Sequence, residues 1–110
     1  MPGYSGRSMD DELSISTTHE GSTATVAADG EIDLSTVDDL RTAVSAAADG
    51  AERLVLDLTG VEFIDSAGLG GLLELRSTLR GRNVTLEIAA GDGPVRRAME
   101  ITGLSELLAR

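Results

Sequence analysis

The sequence contains no cysteine and only two aromatic residues, Tyr4 and Phe63. Without cysteine the chain has no disulfide framework, no thiolate zinc site and no cysteine nucleophile, which is typical of proteins from a reducing compartment. Because aromatic residues are so scarce, we expect an aliphatic core. A chain of 110 residues is long enough for one domain that buries about two thirds of its unfolded surface.

Long apolar runs and an excess of positive charge are also missing. No run approaches the roughly 18 residues that a membrane span requires, and the N-terminus carries no hydrophobic signal segment. The formal net charge is −10, so nucleic acid and anionic membrane surfaces would be repelled. We therefore expect a cytoplasmic protein that binds neither nucleic acid nor a membrane, and a protein with a basic patch is the better candidate for a partner.

The first part of the chain predicts a leader followed by a β-hairpin. Residues 1–11 are rich in Gly and Ser without periodicity and are predicted to form a flexible leader, which leaves residues 12–110 as the domain. Apolar and polar residues then alternate over 13–16 and 24–28, on either side of a turn. His19, the only histidine, is predicted to be a solvated residue of that turn.

The rest of the chain alternates between helical and strand patterns. Ser35 with Asp38 resembles a capping box for a first helix that ends near Ala48. The later elements are, in order, a strand over 54–64 interrupted by Thr59-Gly60, a helix from about Ala67 to Arg80 stopped by Gly81, a strand over 84–88 and a helix that begins at Pro94. With the N-terminal hairpin they predict an α/β fold, in which helices cover one four-stranded, mixed and mostly parallel sheet.

Helical spacing also predicts which side chains of the later helices face the core. The second helix is expected to bury four leucines, Leu69, Leu72, Leu73 and Leu79. In the last helix, Arg96 and Arg97 are expected on the outer face as solvated charges.

The junction between the long strand and the second helix is the most unusual stretch. Asp65 and Ser66 stand there, and either side chain can cap the helix. Small residues follow, although each glycine weakens a helix by up to about 1 kcal/mol relative to alanine. They are Ala67, Gly68, Gly70 and Gly71. The residues alone leave two interpretations open, a plain helix cap or a site where Ser66 meets a phosphoryl group or a partner.

Asp33 follows the end of another predicted strand. On its own it is best explained as a turn residue with a local hydrogen bond. In an open α/β sheet, however, sites gather at the carboxyl ends of the strands. Asp33 and Ser66 are therefore expected to share one edge of the molecule.

Enzymatic and metal-dependent functions are not favoured. Asp33, Asp57 and Asp65, without histidine or bound phosphate, would make a poor metal cage, so neither a metal nor a cofactor is predicted. The sequence has no G-x-x-x-x-G-K-[ST] nucleotide loop and no G-x-S-x-G elbow around Ser66. We expect that the chain is not an enzyme.

Three motifs carry a resemblance to a known family. Residues 63–70 read F-I-D-S-A-G-L-G, residues 30–33 read G-E-I-D, and residues 94–104 form a segment that closes on T-G-L. In this order and spacing they resemble the STAS domain family, and specifically the bacterial anti-sigma factor antagonists. The resemblance covers roughly residues 13–108.

The resemblance implies a function that the residues alone do not establish. In the antagonists the serine after the aspartate is phosphorylated by the anti-sigma factor, which is itself a serine kinase, and a serine phosphatase reverses the modification. That serine is Ser66 here, and Asp33 matches an aspartate implicated in binding the kinase. The implied partner-binding residues are Asp33, Asp65, Ser66, Ala67, Gly68, Leu69 and Gly70. Ala67 departs from the many relatives that carry a second Ser or Thr there.

Two other functions remain possible for this pattern. STAS domains also occur as non-switching scaffolds or regulatory subunits of stress-signalling or transporter complexes, where the serine need not be modified. A small-molecule module that holds a phosphate or nucleotide at the helix N-terminus is the other alternative.

Overall fold

The computed structural model describes residues 13–108, so the leader predicted at residues 1–11 lies outside the described residues. The elements are, in chain order, β1 Leu13–Glu20, β2 Thr23–Ile32, α1 Val37–Ala47, β3 Arg53–Ile64, α2 Ser66–Gly81, β4 Thr85–Ala89, α3 Pro94–Ile101 and a short 3₁₀ helix Ser105–Leu107. The hydrophobic patterns predict the same order of strands and helices.

One four-stranded sheet carries the strands in the order β1-β2-β3-β4. β1 pairs antiparallel with β2, whereas β2 with β3 and β3 with β4 are parallel. The predicted α/β fold, with a mixed and mostly parallel sheet and an N-terminal hairpin, is therefore confirmed. Each parallel connection contains a helix, and these two helices, α1 and α2, pack against the sheet and against each other.

The core is aliphatic, as the scarcity of aromatic residues predicts. Because successive side chains of a strand point to opposite faces, alternate residues of the central strands are buried. They are Ala24, Val26 and Ala28 of β2 and Leu54, Leu56 and Leu58 of β3. Leu40 and Val44 of α1 and Leu72 and Leu79 of α2 belong to the same cluster.

Two predictions about the strands are wrong. β3 is continuous, because the β2–β3 pairing absorbs Thr59-Gly60 through register shifts next to Asp29 and Gly30. His19 lies within β1 rather than in the turn, with its ring Nε2 3.3 Å from the carbonyl oxygen of Ala47. The side chain is exposed, as expected, but the second half of β1 is polar and exposed and so offered no alternation to mark it.

The predicted start of α1 is also wrong. Thr36 is the N-cap residue and makes no side-chain cap hydrogen bond, and the helix begins at Val37. The Ser35 hydroxyl donates instead to Asp33 Oδ1 at 2.7 Å. The capping box of Ser35 and Asp38 therefore does not form, because the Ser35 side chain is hydrogen-bonded to Asp33 within the preceding loop.

The later helices differ from their predictions in detail. α2 includes Gly81, and the residue with a left-handed backbone after it is Asn83, with φ of 62°. Leu73 is 40% exposed, whereas Leu75, which was not predicted, is buried. Arg96 is only half-exposed and donates to the carbonyl oxygen of Ala90 at 3.0 Å, so its assignment to the outer face is wrong. Arg97 is exposed, as predicted.

Candidate functional site

The ends of β2 and β3 bring two loops together. Ile32 pairs with Ile64, the last residue of each strand, and the Asp65 N–H donates to the carbonyl oxygen of Ile32 at 3.2 Å. Asp33 and Asp65 are the residues that directly follow this pair. The prediction that Asp33 and Ser66 share one edge of the molecule, at the carboxyl ends of two neighbouring strands, is thereby confirmed.

Asp65 is the helix cap. Its backbone is extended, with φ of −105° and ψ of −171°, and its Oδ1 accepts a hydrogen bond from the Gly68 N–H at 2.9 Å. Its carbonyl oxygen accepts the Leu69 N–H, also at 2.9 Å. Of the two candidates at the junction, Asp65 therefore caps α2, and Ser66 is the first helical residue.

Ser66 is exposed at the start of α2, and its hydroxyl makes no hydrogen bond to any other described residue. The capping bonds of Asp65 leave the N–H groups of Ser66 and Ala67 as the orphan donors of the first turn. These donors and the positive end of the helix dipole favour an anion at this position. The hydroxyl is thus accessible to a second protein and lies where added negative charge is tolerated.

The loop around Asp33 is held by Thr36, the one buried polar residue between Leu13 and Leu108. The Thr36 hydroxyl accepts the Asp33 N–H at 2.9 Å and lies 2.9 Å from the carbonyl oxygen of Glu31, to which it donates. Asp33 Oδ1 in turn accepts the Ser35 N–H at 3.0 Å. The prediction of a turn with a local hydrogen bond at Asp33 is confirmed, but sequence reasoning missed Thr36.

The small residues after Ser66 have different surroundings. A Cβ at Gly68 would lie 2.9 Å from the Ile32 carbonyl oxygen and 2.7 Å from Ile64 Cγ1, so α2 can approach the strands closely only with glycine there. A Cβ at Gly70 would meet nothing within 4 Å. Gly68 is buried, while Ala67, Leu69 and Gly70 are partly exposed.

Two exposed leucines near this edge were not predicted. Leu34, next to Asp33, is 78% exposed, and Leu73 on α2 is 40% exposed. Because seven residues make about two helical turns, Leu73 lies on the same side of α2 as Ser66. The sequence does contain a signal for the exposure of Leu34: it lies in a polar loop and does not belong to the apolar pattern of any predicted helix or strand.

Asp57 does not form a cluster with Asp33 and Asp65. Its Oδ1 accepts the backbone N–H of Thr59 at 3.0 Å and the Thr59 hydroxyl at 2.7 Å. Across residues 13–108, no group of three or more His, Asp or Glu side chains is placed to hold a metal ion. No helix in the same range is long and apolar enough to cross a membrane.

Comparisons with known proteins identify the family. The family model described as Mlab, STAS domain matches residues 15–109. The anti-sigma-F factor antagonist RsfB of Mycobacterium tuberculosis is 32% identical over 87% of this chain and 79% of its own length, and an anti-sigma-B factor antagonist of Staphylococcus aureus is 31% identical over 87% and 90%. The crystal structure of an anti-sigma factor antagonist from Mycobacterium paratuberculosis, 31% identical, covers 93% of this chain and 87% of its own with a TM-score of 0.80. The chain therefore belongs to the STAS domain family.

Proposed function

We propose that this chain is an anti-sigma factor antagonist: it binds an anti-sigma factor that is a serine kinase, and this binding releases a sigma factor. The observation that supports it best is the accessible Ser66 hydroxyl at the start of α2, beside the ordered Asp33 turn. Two relatives at 31–32% identity are named anti-sigma factor antagonists. In this role the chain is a phosphoryl acceptor and not an enzyme.

The binding surface is what we call the Ser66 face, which consists of Asp33, Leu34, Ser66, Ala67, Leu69, Gly70 and Leu73. Its exposed leucines supply apolar area, and Asp33 gives the polar margin typical of an interaction site. Asp65 and Gly68 support this face, because Asp65 fixes the helix start and Gly68 seats α2 on the strands. A partner with basic side chains would complement the net charge of −10.

Phosphorylation of Ser66 is the proposed switch. The kinase transfers the γ-phosphoryl group of ATP to Ser66 Oγ, which loses its proton, and ADP leaves. The phosphoserine carries a charge of about −1.5 to −2. It also adds bulk to a surface where Gly70, without a side chain, would otherwise allow a partner to approach closely. A loss of about 3–4 kcal/mol is enough to make a tight complex negligible, since every 1.4 kcal/mol is tenfold in affinity. A serine phosphatase restores the binding form, and the cycle takes place in the cytoplasm without nucleic acid, membrane or cofactor at this site.

Intact-mass spectrometry with ATP and candidate anti-sigma kinases from the same genome tests the proposal. We expect one added phosphate on the wild-type chain and none on Ser66→Ala. Exposed serines elsewhere, such as Ser77 on α2, provide a matched control, since Ser77→Ala should still be phosphorylated.

The other outcomes separate the alternatives. Binding to a candidate kinase without any transfer of phosphate would favour the non-switching scaffold, with Ser66 as a structural residue. Phosphate on the Ser66→Ala variant would overturn the assignment of the acceptor.

A further inference from the structure

An open cleft of about 460 Å³ lies at the opposite end of α2 from Ser66. Arg76 and Arg80, four residues apart on one side of the helix, line it together with Asn83 and Thr85. The apolar part of its wall is formed by Val84, Leu86 and Leu107. The cleft thus has two arginines and further polar residues beside an apolar surface.

One of the two arginines already holds a carboxylate. Arg76 Nη1 lies 3.0 Å from Oε2 of Glu106, which reaches it from the 3₁₀ helix. The side chains of Arg80, Asn83 and Thr85 make no hydrogen bond or ion pair with any residue between 13 and 108. The cleft therefore contains one filled carboxylate position and polar groups that are available for a second.

The cleft borders β4, which is an edge strand of the sheet. β4 is at the end of the sheet, and on its outer side the described residues form only the bridge between Ile88 and Leu108. No strand among residues 13–108 pairs with Thr85, Leu86 or Glu87 on that side, but the 3₁₀ helix Ser105–Leu107 lies close to β4 and forms part of the cleft wall at Leu107.

We propose that this cleft binds an acidic peptide segment of a partner protein. The peptide places a carboxylate on Arg80 and packs an apolar side chain against Leu86 and Leu107. The pair of Arg76 and Glu106 shows within this chain the contact that the partner makes at Arg80. Ser66 and Arg80 are about 21 Å apart along α2, at 1.5 Å per residue, so occupation of the cleft does not depend on the proposed switch.

Amide NMR spectra of the nitrogen-15-labelled chain test this site. The probe is a short peptide that alternates leucine and aspartate, and the same peptide with asparagine in place of aspartate is its control. We expect the acidic peptide to shift the amides of Asn83, Thr85, Leu86 and Leu107, and Arg80→Ala to weaken its binding about tenfold. Arg97→Ala removes the same charge from an exposed position on α3 and should leave the affinity unchanged.

Three results would overturn the proposal. Equal binding of both peptides would show that charge is not recognised. Equal weakening by Arg80→Ala and Arg97→Ala would reduce the effect to net charge. The same amide shifts with inorganic phosphate at lower concentration than with the peptide would assign the cleft to a small anion. The amide spectrum of each variant shows whether it is folded. If the Arg80→Ala chain is still phosphorylated at Ser66, loss of peptide binding at the cleft is independent of the proposed switch.

Discussion

The glycines at the start of α2 have two different roles. Gly68 and Gly71 are required by packing inside the chain, because a Cβ at Gly71 would lie 2.4 Å from Val37 Cγ2 of α1, and one at Gly68 would meet the backbone of Ile32. Gly70 has no such neighbour and weakens the helix by up to about 1 kcal/mol relative to alanine. This cost is explained if the absence of a side chain at Gly70 allows a partner to approach the Ser66 face closely.

Gly70→Ala should therefore separate stability from binding. We expect a melting temperature equal to or above that of the wild type, since alanine favours the helix, and weaker binding to the anti-sigma factor, since the methyl group enters the interface. Circular dichroism and isothermal titration calorimetry measure the two effects. Gly68→Ala is the control, with a lowered melting temperature. Undiminished affinity of Gly70→Ala would place Gly70 outside the interface.

Among the elements, α2 depends most on a single capping residue. The Asp65 carboxylate satisfies the Gly68 N–H, and its negative charge lies at the positive end of the helix dipole. The same residue follows the last pair of the parallel strands, so its bonds link β2, β3 and α2.

Asp65→Ala should lower the free energy of unfolding by about 1 kcal/mol, because the Gly68 N–H loses its acceptor. Asp65→Asn retains the acceptor and should recover most of this loss. Urea denaturation followed by circular dichroism gives both values. If alanine and asparagine destabilise the chain equally, the charge of Asp65 matters and its hydrogen bond does not.

The periodicity of the sequence predicts the helices and strands well, but it predicts less well how they pack and pair with one another. The order of strands and helices and the edge shared by Asp33 and Ser66 follow from alternation and from parallel topology. The exposure of Leu73 does not, because Leu69, Leu72, Leu73 and Leu75 surround much of α2 and only the packed sheet decides which of them is buried. The continuity of β3 was missed for a similar reason. Two register shifts in the β2–β3 pairing allow the strand to continue through Thr59-Gly60, and local propensity does not encode such shifts.

At the scale of the whole molecule, the proposed switch and the arginine cleft lie at opposite ends of α2. The Ser66 end is formed by loops after β2 and β3, and it is acidic through Asp33 and Asp65. The cleft end is basic through Arg76 and Arg80, although the chain as a whole carries a net charge of −10. The partners proposed for the two ends therefore carry opposite charges.

Phosphorylation of Ser66 should change the surface of this molecule without unfolding it. The added phosphate lies at the N-terminus of α2, where the orphan N–H groups and the helix dipole stabilise negative charge, so we expect a denaturation midpoint equal to or above that of the unmodified chain. Binding to the anti-sigma factor should fall by at least about 100-fold, since about 3 kcal/mol is lost at the interface. Urea denaturation and calorimetry on the two forms, purified from one kinase reaction, measure both quantities. A phosphorylated form that unfolds at clearly lower urea would show instead that the switch acts by destabilising α2, and the Ser66 face would then be lost through local unfolding and not through repulsion.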